Sequence, residues 1–291
     1  GHLPALLHPK PRSVLIVGFG AGVTSGSFTL HPDVQRIVIC EIEPLIPPVA
    51  TRYFGNENYN VLHDPRTQMV YDDARHFVLT TPETFDIITS DPIHPWVKGS
   101  ASLYTREYLQ MVKDHLNPGG LVTQWVPLYE TDTDTVKSEF ATFFEVFPNG
   151  SIWANEDWQS GGYDVFLMGS KDPLIINADA LQRRMDSPEY ARVQQSLRDV
   201  TIHTAADFLS IYTTQASDLK PWLNGAFINR DRNLRLQFLA GMSVSNYTQA
   251  TIYAEMLTYR RFPDNLMVSS GTALQALRLK LRPPREQDID P

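Results

Sequence analysis

A glycine-rich turn and a set of acids at the ends of apolar runs are the residues whose types and spacing suggest chemistry. Gly18-Phe19-Gly20-Ala21-Gly22 follows one such run directly and opens a helix-like segment. Glycines there permit a tight turn and let backbone N–H groups approach a ligand closely, so Gly18, Gly20 and Gly22 are candidate nucleoside-binding residues. Glu41 ends a second apolar run, where a carboxylate can accept both hydroxyls of a ribose; a solvated strand-end acid is the alternative. Asp72-Asp73, followed by Ala74, ends a third. A carboxylate at that point can accept from the exocyclic amine of adenine or cap the next helix. Asp73 reads as the ligand-facing member and Asp72 as cap or support. Asp91 ends a fourth run, with His94 three residues later.

These residues need a frame that brings them to one edge. Ser13–Val17, Arg36–Cys40, Gln68–Tyr71, Phe85–Thr89 and Leu121–Val126 read as strands, and Gly150–Ala154 and Asp164–Met168 as two more. Continuous apolar runs of this kind suit parallel strands covered on both faces. Tyr104–Leu116 and Asp132–Phe147 have helical spacing, the first ending at Asn117-Pro118-Gly119-Gly120. Pro44, Pro47 and Pro48 place the second helix near Pro47, after a longer loop. Strand–helix alternation implies a doubly wound sheet whose ligands sit outside the carboxyl ends of the strands. The expected fold class is α/β, a Rossmann-like parallel sheet of the S-adenosylmethionine-dependent methyltransferase type. The register of the glycine turn supports that type: a dinucleotide fingerprint wants its third glycine at position 23, which is Val23. From about Ile175, Asn177–Arg198, Thr204–Gln215, Thr248–Arg261 and Gly271–Leu281 look helical. The expected domains are a nucleoside-binding domain over 1–172, a mainly helical C-terminal domain over 173–281, and a disordered tail over 282–291.

Composition excludes several classes. A net charge of -8 over 291 residues argues against nucleic-acid binding, which needs a basic face. The single cysteine, Cys40, excludes an internal disulfide and any multi-cysteine zinc site, and its apolar surroundings suggest core packing. No apolar stretch approaches the roughly 20 residues that span a bilayer. No signal peptide is read. The expected location is cytoplasmic, or at a membrane if this chain, which starts without methionine, is a domain excised from a larger protein.

Further motifs carry a resemblance. Val17-Gly18-Phe19-Gly20-Ala21-Gly22, Cys40-Glu41-Ile42-Glu43, Tyr71-Asp72-Asp73-Ala74, Ser102-Leu103-Tyr104-Thr105-Arg106-Glu107-Tyr108 and Asn117-Pro118-Gly119-Gly120 with Gln124 stand in order along the chain. Together they resemble the spermidine synthase (polyamine aminopropyltransferase) superfamily, closest to its members fused to membrane segments. The resemblance implies an adenosyl sulfonium donor, decarboxylated S-adenosylmethionine or S-adenosylmethionine itself. It also implies a polyamine or other amine as acceptor, 5'-methylthioadenosine as product, no metal, and a homodimer. It assigns Asp91 and His94 to catalysis, Gly18, Gly20, Gly22, Glu41, Asp72 and Asp73 to the donor, and Trp96, Tyr104 and Gln124 to the substrate pocket. Trp125 and Tyr129 would add aromatic faces suited to a cation.

The sequence departs from the family's D-S-S-D-P stretch, reading Asp91-Pro92-Ile93-His94-Pro95. His94 stands where the second acid is expected, and the following loop brings in Lys98. A neutral imidazole can act as general base near pH 7, but it holds a polycation less well than a carboxylate. Three functions therefore stay open. They are an aminopropyltransferase-like enzyme; a related S-adenosylmethionine enzyme acting as methyltransferase, lyase or cyclase; and a non-catalytic nucleoside-binding regulatory domain.

Overall fold

In the computed structural model, residues 1–154, 163–269 and 271–281 are described. The N-terminal half alternates as read: α1 (His2–Leu7), β1 (Ser13–Val17), α2 (Val23–Phe28), β2 (Arg36–Glu41), α3 (Ile46–Phe54), β3 (Thr67–Tyr71), α4 (Ala74–Thr80), β4 (Phe85–Ser90), α5 (Arg106–Asp114), β5 (Leu116–Pro127), α6 (Thr133–Val146), β6 (Ser151–Trp153) and β7 (Asp164–Ser170). After these come β8 (Ile176–Asn177), α7 (Ala178–Met185), α8 (Ala191–Arg198), α9 (Ala205–Leu209), β9 (Tyr212–Gln215), α10 (Ala216–Leu219), α11 (Arg235–Ser243), α12 (Gln249–Leu257), β10 (Met267–Val268) and α13 (Thr272–Lys280).

Eight strands form one sheet in the order β3-β2-β1-β4-β5-β7-β6-β9. β1 to β5 are parallel, whereas β7 runs antiparallel to β5 and β6 antiparallel to β7. This α/β sheet differs from the 3-2-1-4-5-6 order of dinucleotide-binding folds by its reversed hairpin. The apolar runs explain the centre: Val14 to Val17 and Ile37 to Cys40 are buried, as strands covered on both faces must be. Cys40 lies in that core, and desolvation raises its thiol pKa to about 12.

Several boundaries differ from the sequence reading, each for a local reason. The helix expected from Tyr104 starts at Arg106, because Thr105 is extended and its hydroxyl accepts from Tyr108 N. Asn117-Pro118-Gly119-Gly120 lies within β5, where the register shifts between Phe85 and Ile87. The segment Asn177–Arg198 is two helices, interrupted at Ser187-Pro188, since proline cannot donate to the helical ladder. Thr204–Gln215 splits into α9, closed by a Thr204–Asp207 capping box, and β9, whose Tyr212-Thr213-Thr214 run favours a strand.

β9 pairs with β6 and completes the sheet edge, so the C-terminal region is helical but not only helical. It also shares the core of the sheet: Leu236, Ile252 and Met256 pack in one apolar cluster with Phe140, Phe143 and Val122. Leu181, Leu197 and Leu277 pack in another with Leu121, Trp153 and Met168. The expected tail, 282–291, lies outside the described residues. Among the described residues, no helix is long and apolar enough to cross a membrane.

Candidate active site

The loops after β1, β2, β3 and β4 end at one edge because those strands are parallel and in register. Gly18 N donates to Cys40 O at 2.9 Å, and Asp91 N donates to Val17 O at 3.3 Å, which ties the ends of β2 and β4 to the end of β1. A cavity of about 710 Å³ opens there, lined by Gly18, Gly20, Glu41, Asp73, Asp91 and Trp125 among others. Gly18 and Gly20 have φ of +86° and +54°, the left-handed region that glycine enters without strain. A side chain on Gly18 would also press on Asp91 O at 3.3 Å.

Glu41 is buried, with both oxygens engaged by backbone. Oε2 accepts from Phe19 N at 2.8 Å and Oε1 from Glu43 N at 2.9 Å. It therefore fixes the glycine turn while keeping lone pairs for a ligand's hydroxyls. Asp73 caps α4, accepting from His76 N at 2.9 Å, and also lines the cavity. Asp91 opens into the cavity yet is surrounded by protein, and that desolvation raises its carboxyl pKa; the negative charge of Asp164 acts in the same direction.

Other expected residues lie elsewhere. Gly22 has φ +79° at the N-cap of α2, where a Cβ would meet the Phe19 ring at 2.6 Å. Its role is packing behind the turn, and it does not line the cavity. Asp72 points to the outside of α4, pairing with His76 Nδ1 at 2.7 Å and accepting from Asp73 N. The capping role read for Asp72 thus belongs to Asp73, whose extended backbone places it at the cap. Tyr104 is buried in the core beneath β5, with its hydroxyl 3.4 Å from Trp125 O. Gln124 is buried in β5 beside Ser90. Neither lines the cavity.

His94 and Trp96 are also absent from the cavity lining, but they stand close to it. The His94 ring lies 5.3 Å from Trp125 and 5.0 Å from Tyr129, both edge-to-face, and 5.7 Å from Trp96. Tyr129 stacks on Tyr163 at 4.0 Å. Burial lowers the His94 pKa, against the opposing charge of Glu130, which favours the neutral ring. Its Nε2 is buried without a hydrogen-bond partner among the described residues.

Two charged residues near this aromatic wall escaped the assignment of roles from sequence. Lys98 lines the cavity and has no ion-pair partner among the described residues. Asp164 accepts from Trp125 Nε1 at 2.9 Å. Its position as the first residue of a strand was visible, but a parallel reading of that strand put its other end at the ligand edge. No cluster of three or more metal-ligating side chains is found among the described residues.

Comparison with known proteins agrees with this geometry. The model of the spermine/spermidine synthase domain matches residues 1–151. A polyamine aminopropyltransferase of Aeropyrum pernix is 38% identical over 180 residues, covering 60% of this chain and 57% of that protein. One from Leptospira biflexa is 28% identical over 185 residues, covering 61% and 64%. The chain thus spans less than two thirds of the length of these relatives. The crystal structure of spermidine synthase from Thermotoga maritima superposes with a TM-score of 0.53 at 25% identity, covering 64% of each chain. From its motifs, its sheet and the match over more than half its length, this chain belongs to the spermine/spermidine synthase domain family.

Proposed function

We propose that the cavity binds an adenosyl sulfonium donor and transfers its aminopropyl group to an amine, releasing 5'-methylthioadenosine. The observation that carries this reading is the convergence of Gly18, Gly20, Glu41, Asp73 and Asp91 on one cavity. Glu41 is suited to the ribose hydroxyls and Asp73 to the adenine amine, with the glycine turn giving the donor room to approach the backbone. In the transfer, the acceptor nitrogen's lone pair forms a bond to the carbon beside sulfur. The C–S bond breaks, and its electron pair stays on sulfur as a neutral thioether. The nitrogen's surplus proton passes to Asp91, whose raised pKa makes it the stronger base. Holding donor and amine in line supplies much of the remaining acceleration.

The test is incubation with decarboxylated S-adenosylmethionine or S-adenosylmethionine, with and without a panel of diamines and polyamines, followed by mass spectrometry. 5'-Methylthioadenosine formed only with the decarboxylated donor and an amine is the expected result. S-adenosylhomocysteine, or 5'-methylthioadenosine formed without an amine, would support a second reading: a methyltransferase, lyase or cyclase using S-adenosylmethionine. Lys98 favours that reading, as a cation lining the cavity with no ion-pair partner among the described residues is suited to a donor that keeps its carboxylate. Donor binding without turnover of any kind would support a regulatory domain.

A further inference from the structure

The loop after β4 supplies one acid, Asp91, where the resemblance leads one to expect two. The sheet's reversed hairpin brings another to the same edge. Because β7 is antiparallel to β5, its first residue reaches the end of the sheet where the parallel strands finish, and Asp164 stands in register with Pro127. Three residues earlier on β5, Gln124 pairs with Ser90, the neighbour of Asp91. Asp91 lines the cavity and Asp164 does not, but the two stand on opposite sides of β5 at the same end of the sheet, and Asp164 meets the cavity through Trp125. Between them lies Trp125, which lines the cavity and donates its indole N–H to Asp164 Oδ2 at 2.9 Å. Trp125, Tyr129 and the His94 ring form the adjoining wall. A carboxylate fixed beside aromatic faces is the combination that holds an ammonium group.

We infer that Asp164 supplies the second carboxylate of the acceptor site, recruited from β7 in place of the acid that His94 replaces, and that it holds the positive charge of an amine acceptor against Trp125. This rests on the transfer reading above. It is consistent with the field at Asp91, where the charge of Asp164 favours the protonated carboxyl. The amino group at Gly1 also bears on Asp91 in its charged form, but burial lowers its own pKa to about 5, and it is the same in every variant below.

Asp164→Asn keeps an oxygen that accepts from the Trp125 indole, so it removes charge without removing that contact. Expected is a rise of about tenfold or more in the acceptor KM, the scale of a lost charged hydrogen bond, with donor affinity unchanged. Adding His94→Asp to Asp164→Asn should restore much of that loss, which a merely structural role for Asp164 would not allow. An unchanged acceptor KM, or no rescue by His94→Asp, overturns the proposal. Two readouts do not need turnover. Calorimetric binding of 1,4-diaminobutane in the presence of 5'-methylthioadenosine should weaken in Asp164→Asn. The Asp91 carboxyl, followed by carbon NMR, should titrate at lower pH in Asp164→Asn than in the parent chain. A parent chain that binds no diamine counts against the transfer reading. An Asp91 titration unmoved by Asp164→Asn counts against the placement of Asp164 itself.

Discussion

Glu41 has both carboxylate oxygens occupied by backbone N–H groups before any ligand arrives, so it shapes the turn and presents a fixed acceptor at once. Glu41→Ala is expected to weaken binding of 5'-methylthioadenosine by at least about 1.5 kcal/mol, the scale of a lost hydrogen bond to a charged group. Calorimetry would check it, and unchanged affinity would remove the ribose assignment. Residues placed by strand ends were the legible part of the site. Gly18, Gly20, Glu41, Asp73 and Asp91 follow from counting along parallel strands, because each strand delivers its last residue to the same edge. Tyr104 and Gln124 are pocket residues by motif membership, which does not distinguish a side chain facing the cavity from one packed beneath it, and Gly22 is a donor residue by its place in the turn, which does not distinguish the lip of the cavity from the packing behind it. His94 and Asp164 needed the third dimension, since their surroundings come from β5 and β7 as well as from their own loop or strand.

At the level of elements, Asp73 joins a helix end to the cavity. Asp73→Ala should lower stability by about 1 kcal/mol through loss of the α4 cap, and weaken nucleoside binding as well. Asp73→Asn keeps a capping oxygen but not the charge, so its melting temperature should stay near the parent's while binding falls. Equal melting of the two variants would reject the capping account, and parental affinity in Asp73→Asn would reject the adenine contact. The sequence conveyed element type well where apolar runs were continuous, as in β1 and β2, and where a capping side chain marked a start, as Asp132 does for α6. It failed where one polar periodic stretch held two elements. Nothing in periodicity alone separates α9 from β9; the turn at Ser210 and the tertiary pairing of β9 with β6 decide it.

The molecule as a whole carries a histidine pair, His31 buried and His2 half-buried, that couples its stability to pH. His2 Nδ1 and His31 Nε2 are 2.9 Å apart, and His2 Nε2 meets Ser196 Oγ at 3.0 Å, joining α1 and α8. Burial lowers the His2 pKa to about 3 and holds that of His31 well below its ordinary value. Because both folded values lie below the unfolded one, about 6.5, the unfolded chain takes up protons first as the solution is acidified. This contribution is complete above pH 6.5 and declines below it, by about 1.4 kcal/mol per pH unit for each ring. Thermal unfolding between pH 6.5 and 4.5 should therefore show a steep loss of stability that His31→Gln reduces; equal slopes in both proteins would refute the coupling.

β9 has a consequence at this same scale. Every residue lining the cavity precedes β6, and Asp164 precedes β9, so a chain ending before β9 would hold the whole site. Yet β6 is only Ser151–Trp153, fully buried, and its outer hydrogen-bonding edge is satisfied by a strand that arrives about sixty residues later. Cutting the chain before β9 would bare Ile152 and Trp153 on an open edge, a template for pairing with other chains. The C-terminal region thereby serves as an internal guard against aggregation, and a shortened version holding the whole cavity is expected to collect as insoluble material rather than act as a minimal enzyme.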